Sequence, residues 1–109
     1  DFHLGQLGRR GPTAHWQLID IDDVGIGDPV WDLARPAGFW AAGLIPDDDW
    51  AAFLDGYRCS GPALPTGDPW PILEPFARAA VVHAAASGLV HGDADDAQLA
   101  LEEACERMR

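Results

Sequence analysis

The stretch Trp16-Gln17-Leu18-Ile19-Asp20-Ile21-Asp22-Asp23-Val24-Gly25-Ile26-Gly27-Asp28-Pro29-Val30-Trp31-Asp32-Leu33-Ala34 carries the change from strand to helix on which the fold turns. Its first six residues suit a pleated, half-buried surface. Gly25, Gly27 and Pro29 then break that regularity. Pro29 fits the first turn of a helix, where a missing N–H is not missed, and Asp28 is a suitable N-cap for it.

Upstream, residues 2–8 read as a partner strand for residues 15–22, joined by the polar turn Arg9-Arg10-Gly11-Pro12-Thr13-Ala14. Downstream, Val30 to about Trp40 places Val30, Leu33, Ala34 and Ala37 on one helical face. Pro36 is expected to bend that helix or end it early. Asp47-Asp48-Asp49 supply caps and dipole-favourable charge ahead of Trp50, Phe53, Leu54 and Tyr57 in a second helix. After a Pro/Gly-rich connector over residues 60–71, an Ala-rich third helix spans Pro71 to about Ser87, with Gly88 expected to stop it. Its core face is Ile72, Leu73, Phe76, Ala80 and Ala84. Asp93 or Asp95 opens a last acidic helix to Met108, with Leu101, Cys105 and Met108 as its buried stripe. The expected fold class is α+β and mostly helical: a short β-hairpin followed by about four helices.

At 109 residues, 48% of them hydrophobic, the chain suits one modest core rather than disorder. Seven Lys and Arg against eighteen Asp and Glu give a formal net charge of -11. This balance argues against nucleic acid as a partner, because its phosphates would be repelled. Cationic substrates are compatible with this balance, though an acidic surface by itself signals solubility. Cys59 and Cys105 stand in no metal-ligand spacing and read as free thiols of a cytoplasmic protein. No apolar run is long enough for a membrane span, so no membrane partner is expected.

The candidate chemistry lies in Asp1-Phe2-His3-Leu4-Gly5-Gln6 and Leu18-Ile19-Asp20-Ile21-Asp22-Asp23, across the turn. Phosphoryl transfer needs a base to orient the acceptor hydroxyl and hard oxygen ligands to hold Mg²⁺ against nucleotide phosphates. Asp1 can act as the base. Gln6 offers an amide oxygen to the metal, and Asp20 an anionic one. Two protein ligands suffice, since Mg²⁺ keeps waters and phosphates in its shell. Asp22 and His3 are secondary candidates. Each residue also has a plain reading: Asp20 as a turn residue, Gln6 as a loop amide, Asp1 as a solvated end.

These two runs, followed by Gly27-Asp28-Pro29-Val30-Trp31-Asp32-Leu33-Ala34, resemble the aminoglycoside phosphotransferase-like family, which has a protein-kinase-like fold. That family's catalytic loop reads roughly His-Gly-Asp-x-His-x-Gly-Asn, and its metal motif Ile-Asp-Phe followed by Gly, Asp or Glu. The resemblance covers residues 1–35 strongly and the rest loosely. It implies that Asp1 is the catalytic base and that Gln6 and Asp20 hold Mg²⁺, with Gln6 standing where the family has Asn. Ile21 replaces the usual Phe. His3 matches the loop His, a structural hydrogen-bonding residue, and Asp28 and Asp32 are architectural, tying the metal loop to the next helix. The implied function is transfer of the γ-phosphoryl group of ATP, or another nucleoside triphosphate, to the hydroxyl of an aminoglycoside, sugar or amino alcohol.

No Gly-rich nucleotide loop with a strand Lys is present, and no Met precedes Asp1. Residues 1–109 therefore read as a fragment, the C-terminal lobe of a phosphotransferase. The missing N-terminal nucleotide lobe is its expected partner, and the isolated chain is expected to be inactive. The alternative is a non-catalytic binding or interaction domain derived from the same fold. A weaker rival is a generic acidic helical domain, which would scatter Asp1, Gln6 and Asp20 more than about 10 Å apart, beyond a shared metal. His91-Gly92-Asp93 spells part of the catalytic motif but lacks its continuation, and reads as a helix-mouth cap. The five Trp residues read mostly as packing, with an acceptor cleft as the alternative. His15 and His83 read as surface or satisfied core residues.

Overall fold

A computed structural model describes residues 4–21, 25–60, 64 and 66–109. Two-residue strands β1 (Leu7–Gly8) and β2 (Gln17–Leu18) precede helices α1 (Trp31–Ala41), α2 (Asp47–Ser60), α3 (Trp70–His91) and α4 (Asp96–Arg107). The class is thus α+β and mostly helical, as the periodicity indicated. No helix is long and apolar enough to cross a membrane among the described residues.

The hairpin is antiparallel, with Leu7 opposite Leu18 and Gly8 opposite Gln17. It is much shorter than the two strands expected over residues 2–8 and 15–22. Leu4–Gln6 forms a 3₁₀ turn instead, so the chain enters β1 already bent. On the other side Asp20 adopts a left-handed backbone, φ 57°, which no continuing strand can contain. β-propensity marked the segments but not the bends that confine them.

Two Asp-Pro pairs open two helices in the same way. The Asp28 carboxylate accepts from the Val30 N–H at 3.0 Å, and that of Asp68 accepts from the Trp70 N–H at 2.9 Å. Asp28 therefore caps the turn ahead of α1 rather than its first helical residues. Pro36 neither ends α1 nor shortens it, for the helix runs on to Ala41. Its true stop is Gly43, whose φ of 84° lets the Gly43 and Leu44 N–H groups close onto Trp40 and Phe39. That is the Schellman arrangement, and both Leu44 and Phe39 pack against the cluster of Ala42, Val81, Ala85, Leu101 and Ala104.

The same device corrects the expected end of α3. Gly88 does not stop that helix; it lies inside it, and Gly92 at φ 78° does. The Asp93 N–H reaches the Gly88 carbonyl at 2.9 Å. His91-Gly92-Asp93 is accordingly a helix C-cap, and Asp95 is the residue that caps α4, accepting from the Gln98 N–H at 2.8 Å. Gly88 has a packing role: an added Cβ would collide with the Gln98 side chain, its Cδ only 2.7 Å away. Gln98 is buried there, donating to the Ala85 carbonyl at 3.1 Å and to the Glu102 carboxylate at 2.7 Å. The buried stripe of α4 is therefore Gln98, Leu101 and Ala104, with Cys105 and Met108 only half-buried.

Two apolar clusters share α1 and α3. Leu33, Ala37, Trp50, Leu54, Leu73 and Ala77 form one, joining α1, α2 and α3. Trp40 stacks on Trp50 at 5.5 Å and meets Trp70 edge-on at 5.6 Å at its margin. The Trp40 indole N–H donates to the Asp47 carboxylate at 2.8 Å, which ties the start of α2 to α1. Ala42, Val81, Ala85, Leu101 and Ala104 form the second cluster, joining α1, α3 and α4. Between the two, Gly38 of α1 lies against α3. A Cβ built on it would sit 2.7 Å from the Ala77 carbonyl oxygen and 2.9 Å from Val81.

Gly38→Ala sets helix propensity, worth up to about 1 kcal/mol in favour of Ala, against a backbone clash. The carbonyl cannot rotate aside as a side chain would. Over-packing of this kind costs about 1–3 kcal/mol, so a net loss of stability is expected. Thermal and urea unfolding followed by circular dichroism check it; an unchanged or raised midpoint would show that α1 and α3 separate freely.

Candidate functional site

The hairpin brings Gln6 and Asp20, 14 residues apart in sequence, into contact. The Gln6 side-chain amide donates to the Asp20 carbonyl at 3.3 Å, and the Ile19 N–H donates to the Gln6 carbonyl at 2.7 Å. These two bonds clamp the chain on both sides of the Asp20 bend. Asp20 is the one non-glycine residue with positive φ among the described residues. Such a backbone persists only where its surroundings hold it, and it occurs preferentially at functional sites. The amide nitrogen is the end of the Gln6 side chain turned to Asp20.

Asp1, His3 and Asp22 lie outside the described residues, so the expected base and both secondary candidates have no geometry here. Gln6 and Asp20 are placed together. Their donors, an amide oxygen and a carboxylate, are hard oxygens of the kind Mg²⁺ prefers. No group of three or more His, Cys, Asp or Glu gathers among the described residues, so a metal here would depend on these two ligands completed by water or phosphate.

Gln6 opens onto a cleft of ≈ 1000 Å³ between the hairpin, the loop that leads to α1, and the outer sides of α1 and α3. Leu18 and Ile21, on either side of Asp20 in sequence, line its wall, whereas Asp20 is not among the lining residues. Trp31, Asp32 and Arg35 reach it from α1, and Ala80 and His83 from α3. Trp31 is held by an edge-to-face contact with Phe76, centroids 5.1 Å apart. It is the tryptophan that suits the acceptor-cleft reading; Trp40, Trp50 and Trp70 pack on the first core cluster, and Trp16 lies exposed under the Arg9 guanidinium. His83, read from sequence as surface or core, belongs to the cleft wall. Its distance in sequence from both motifs offered no signal.

Asp28 and Asp32, expected to be architectural, sit at the start of α1 and also line the cleft. Asp28 caps the turn ahead of α1, and Asp32 places a negative charge in the helix's first turn, where the dipole favours it. Both also bear on Tyr57 of α2, whose hydroxyl donates to the Pro29 carbonyl at 3.5 Å. Burial first, and then the charges of Asp32 and Asp28, raise the Tyr57 pKa above 10.0. Comparison with protein-family models, with curated proteins and with solved structures finds no match.

Tyr57 is the single tyrosine of the chain, so tyrosinate absorbance near alkaline pH reports it alone. Its midpoint is expected above 10.0 in the folded protein and nearer that value in Asp32→Asn. A phenol whose pKa is higher folded than unfolded contributes stability that is whole below pH 10.0 and is lost as pH rises through the folded value. Tyr57→Phe should flatten that alkaline loss.

The clamp on Asp20 yields a separate expectation. Gln6→Ala removes the amide bond, and Asp20→Val adds a β-branched side chain to a left-handed backbone, where Asn is tolerated. Amide exchange at residues 18–20 should accelerate in Gln6→Ala and Asp20→Val and stay slow in Asp20→Asn. Equal exchange in all three would mean that the bend holds itself.

Proposed function

We propose that this chain is the metal- and acceptor-binding lobe of an ATP-dependent small-molecule kinase resembling the aminoglycoside phosphotransferases. The single observation that carries the reading is the Gln6–Asp20 contact. Two residues picked out as Mg²⁺ ligands from separate motifs meet at one bend, beside a cleft wide enough for an acceptor.

In this reading Gln6 and Asp20 hold Mg²⁺, which supplies charge neutralisation for the nucleotide phosphates. Asp1 orients the acceptor hydroxyl and takes its proton, and His3 supports the loop. The hairpin clamp fixes the Asp20 backbone, which limits where its carboxylate can go before substrates arrive. The cleft holds the acceptor, with its hydroxyl toward the hairpin side. Nucleotide contacts come from a lobe outside these 109 residues. A binding domain that kept this architecture without the chemistry remains the competing reading, and retention of both metal ligands speaks against it.

Mn²⁺ in place of Mg²⁺ provides the test. Titrated into the 109-residue chain, it should broaden the NMR signals of Gln6 and Asp20 at concentrations that leave the exposed Asp47-Asp48-Asp49 run sharp. Asp20→Asn should remove that selectivity. In a protein carrying this lobe with its nucleotide lobe, the same substitution should lower phosphoryl transfer at least ~100-fold. Broadening that begins at residues 47–49 and spares the hairpin would defeat the proposal.

A further inference from the structure

We infer that the cleft beside the hairpin takes an alcohol with an apolar body, such as an alkyl or fused-ring glycoside, rather than a polyamine or a free sugar. This rests on the phosphotransferase reading for the role of the site, but its chemistry comes from the walls. Of the fifteen lining residues, ten are apolar or glycine. Leu18, Ile21 and Ile26 present aliphatic surface from the hairpin and the following loop, all three exposed to solvent in the ligand-free chain. Trp31, 48% exposed, faces the same space with its ring pinned by Phe76. A pinned aromatic loses little freedom on binding and suits a flat or aliphatic ligand surface.

The charged groups argue against the other acceptors. A polyamine needs several carboxylates free to receive it. Among the described lining residues the cleft has two, Asp28 and Asp32, against one guanidinium, Arg35, which leaves one net negative charge. Asp28 already accepts from the Val30 N–H, and both acids face the first turn of α1. A free sugar needs a dense set of donors and acceptors to replace its water, since an unmatched hydroxyl loses affinity. The five polar residues among the described lining, around ≈ 1000 Å³, do not supply it. A ligand that covers the aliphatic walls and offers one polar end toward Gln6 matches both halves of the lining.

Calorimetric titration of the full 109-residue chain with three probes tests this: n-octyl β-glucoside below its micelle concentration, methyl β-glucoside, and kanamycin. Octyl glucoside should bind at least ~10-fold more tightly than methyl glucoside, since burying two methylenes is enough for that factor, and more tightly than kanamycin. Trp31→Ala and Ile26→Ser should each weaken it at least ~5-fold, the first by removing an aromatic contact face. Ile26 is fully exposed, so its replacement leaves the fold intact. Leu89→Ser, on the outer side of α3 away from the cleft, should change nothing. Equal binding of the two glucosides, tightest binding by kanamycin, or octyl glucoside binding indifferent to both cleft variants overturns the inference. Octyl glucoside binding in the cleft without selective Mn²⁺ broadening at Gln6 and Asp20 would sink the kinase reading and keep the ligand class. The reverse result would do the opposite.

Discussion

Everything in the helical part depends on how closely α1 can approach α3. At Gly38 the absence of a side chain lets the Ala77 carbonyl and Val81 of α3 come to contact with the α1 backbone. Because this contact lies between the two apolar clusters, it sets both at once. On one side it allows Leu33 and Ala37 to reach Leu73 and the α2 tryptophan. On the other it brings Ala42 to Val81 and the inner face of α4. Spreading the helices by even a methyl group would leave gaps in two cores whose buried members are largely Ala and Leu, with few long side chains to refill them.

The same approach positions the candidate site. The outer sides of α1 and α3 form the floor of the cleft, and the Asp28 turn carries the chain from that floor up to the hairpin. A chain in which α1 and α3 parted would lose the relation between Trp31 and His83 before it lost either helix. The link from packing to function therefore runs through a glycine that touches no ligand.

The sequence was most legible where periodicity was long and punctuation strong. Helices α2 and α4 follow from their acidic first turns and apolar spacing. The joining of Gln6 to Asp20 follows from the turn between their motifs. Legibility failed where one residue has two physical meanings. Gly88 reads as a stop because glycine usually ends helices, yet here it makes room for Gln98, a partner ten positions away that no local pattern reveals. Pro36 reads as a breaker, yet it stands at the middle of a helix whose packing against α3 outweighs the lost bond. Of the candidate site, the meeting of Gln6 and Asp20 was readable, while His83 and the pinned Trp31 were not, because the helices that deliver them are set by tertiary packing.

The outward side of α3 has a consequence for the chain as a colloid. Ile72, Val82, Leu89 and Val90 stand exposed along a helix whose only charged residues, Glu74 and Arg78, neutralise each other at 2.9 Å. The rest of the surface carries the net charge of -11 and holds neighbouring copies apart. That repulsion is long-ranged only in dilute salt, for the screening length shrinks to roughly 8 Å at physiological ionic strength. Solubility in this protein is thus a contest between an uncharged helical ridge and an acidic shell. Ionic strength, and acidification toward the isoelectric point near 4.3, shift that contest toward the ridge without altering a single internal contact.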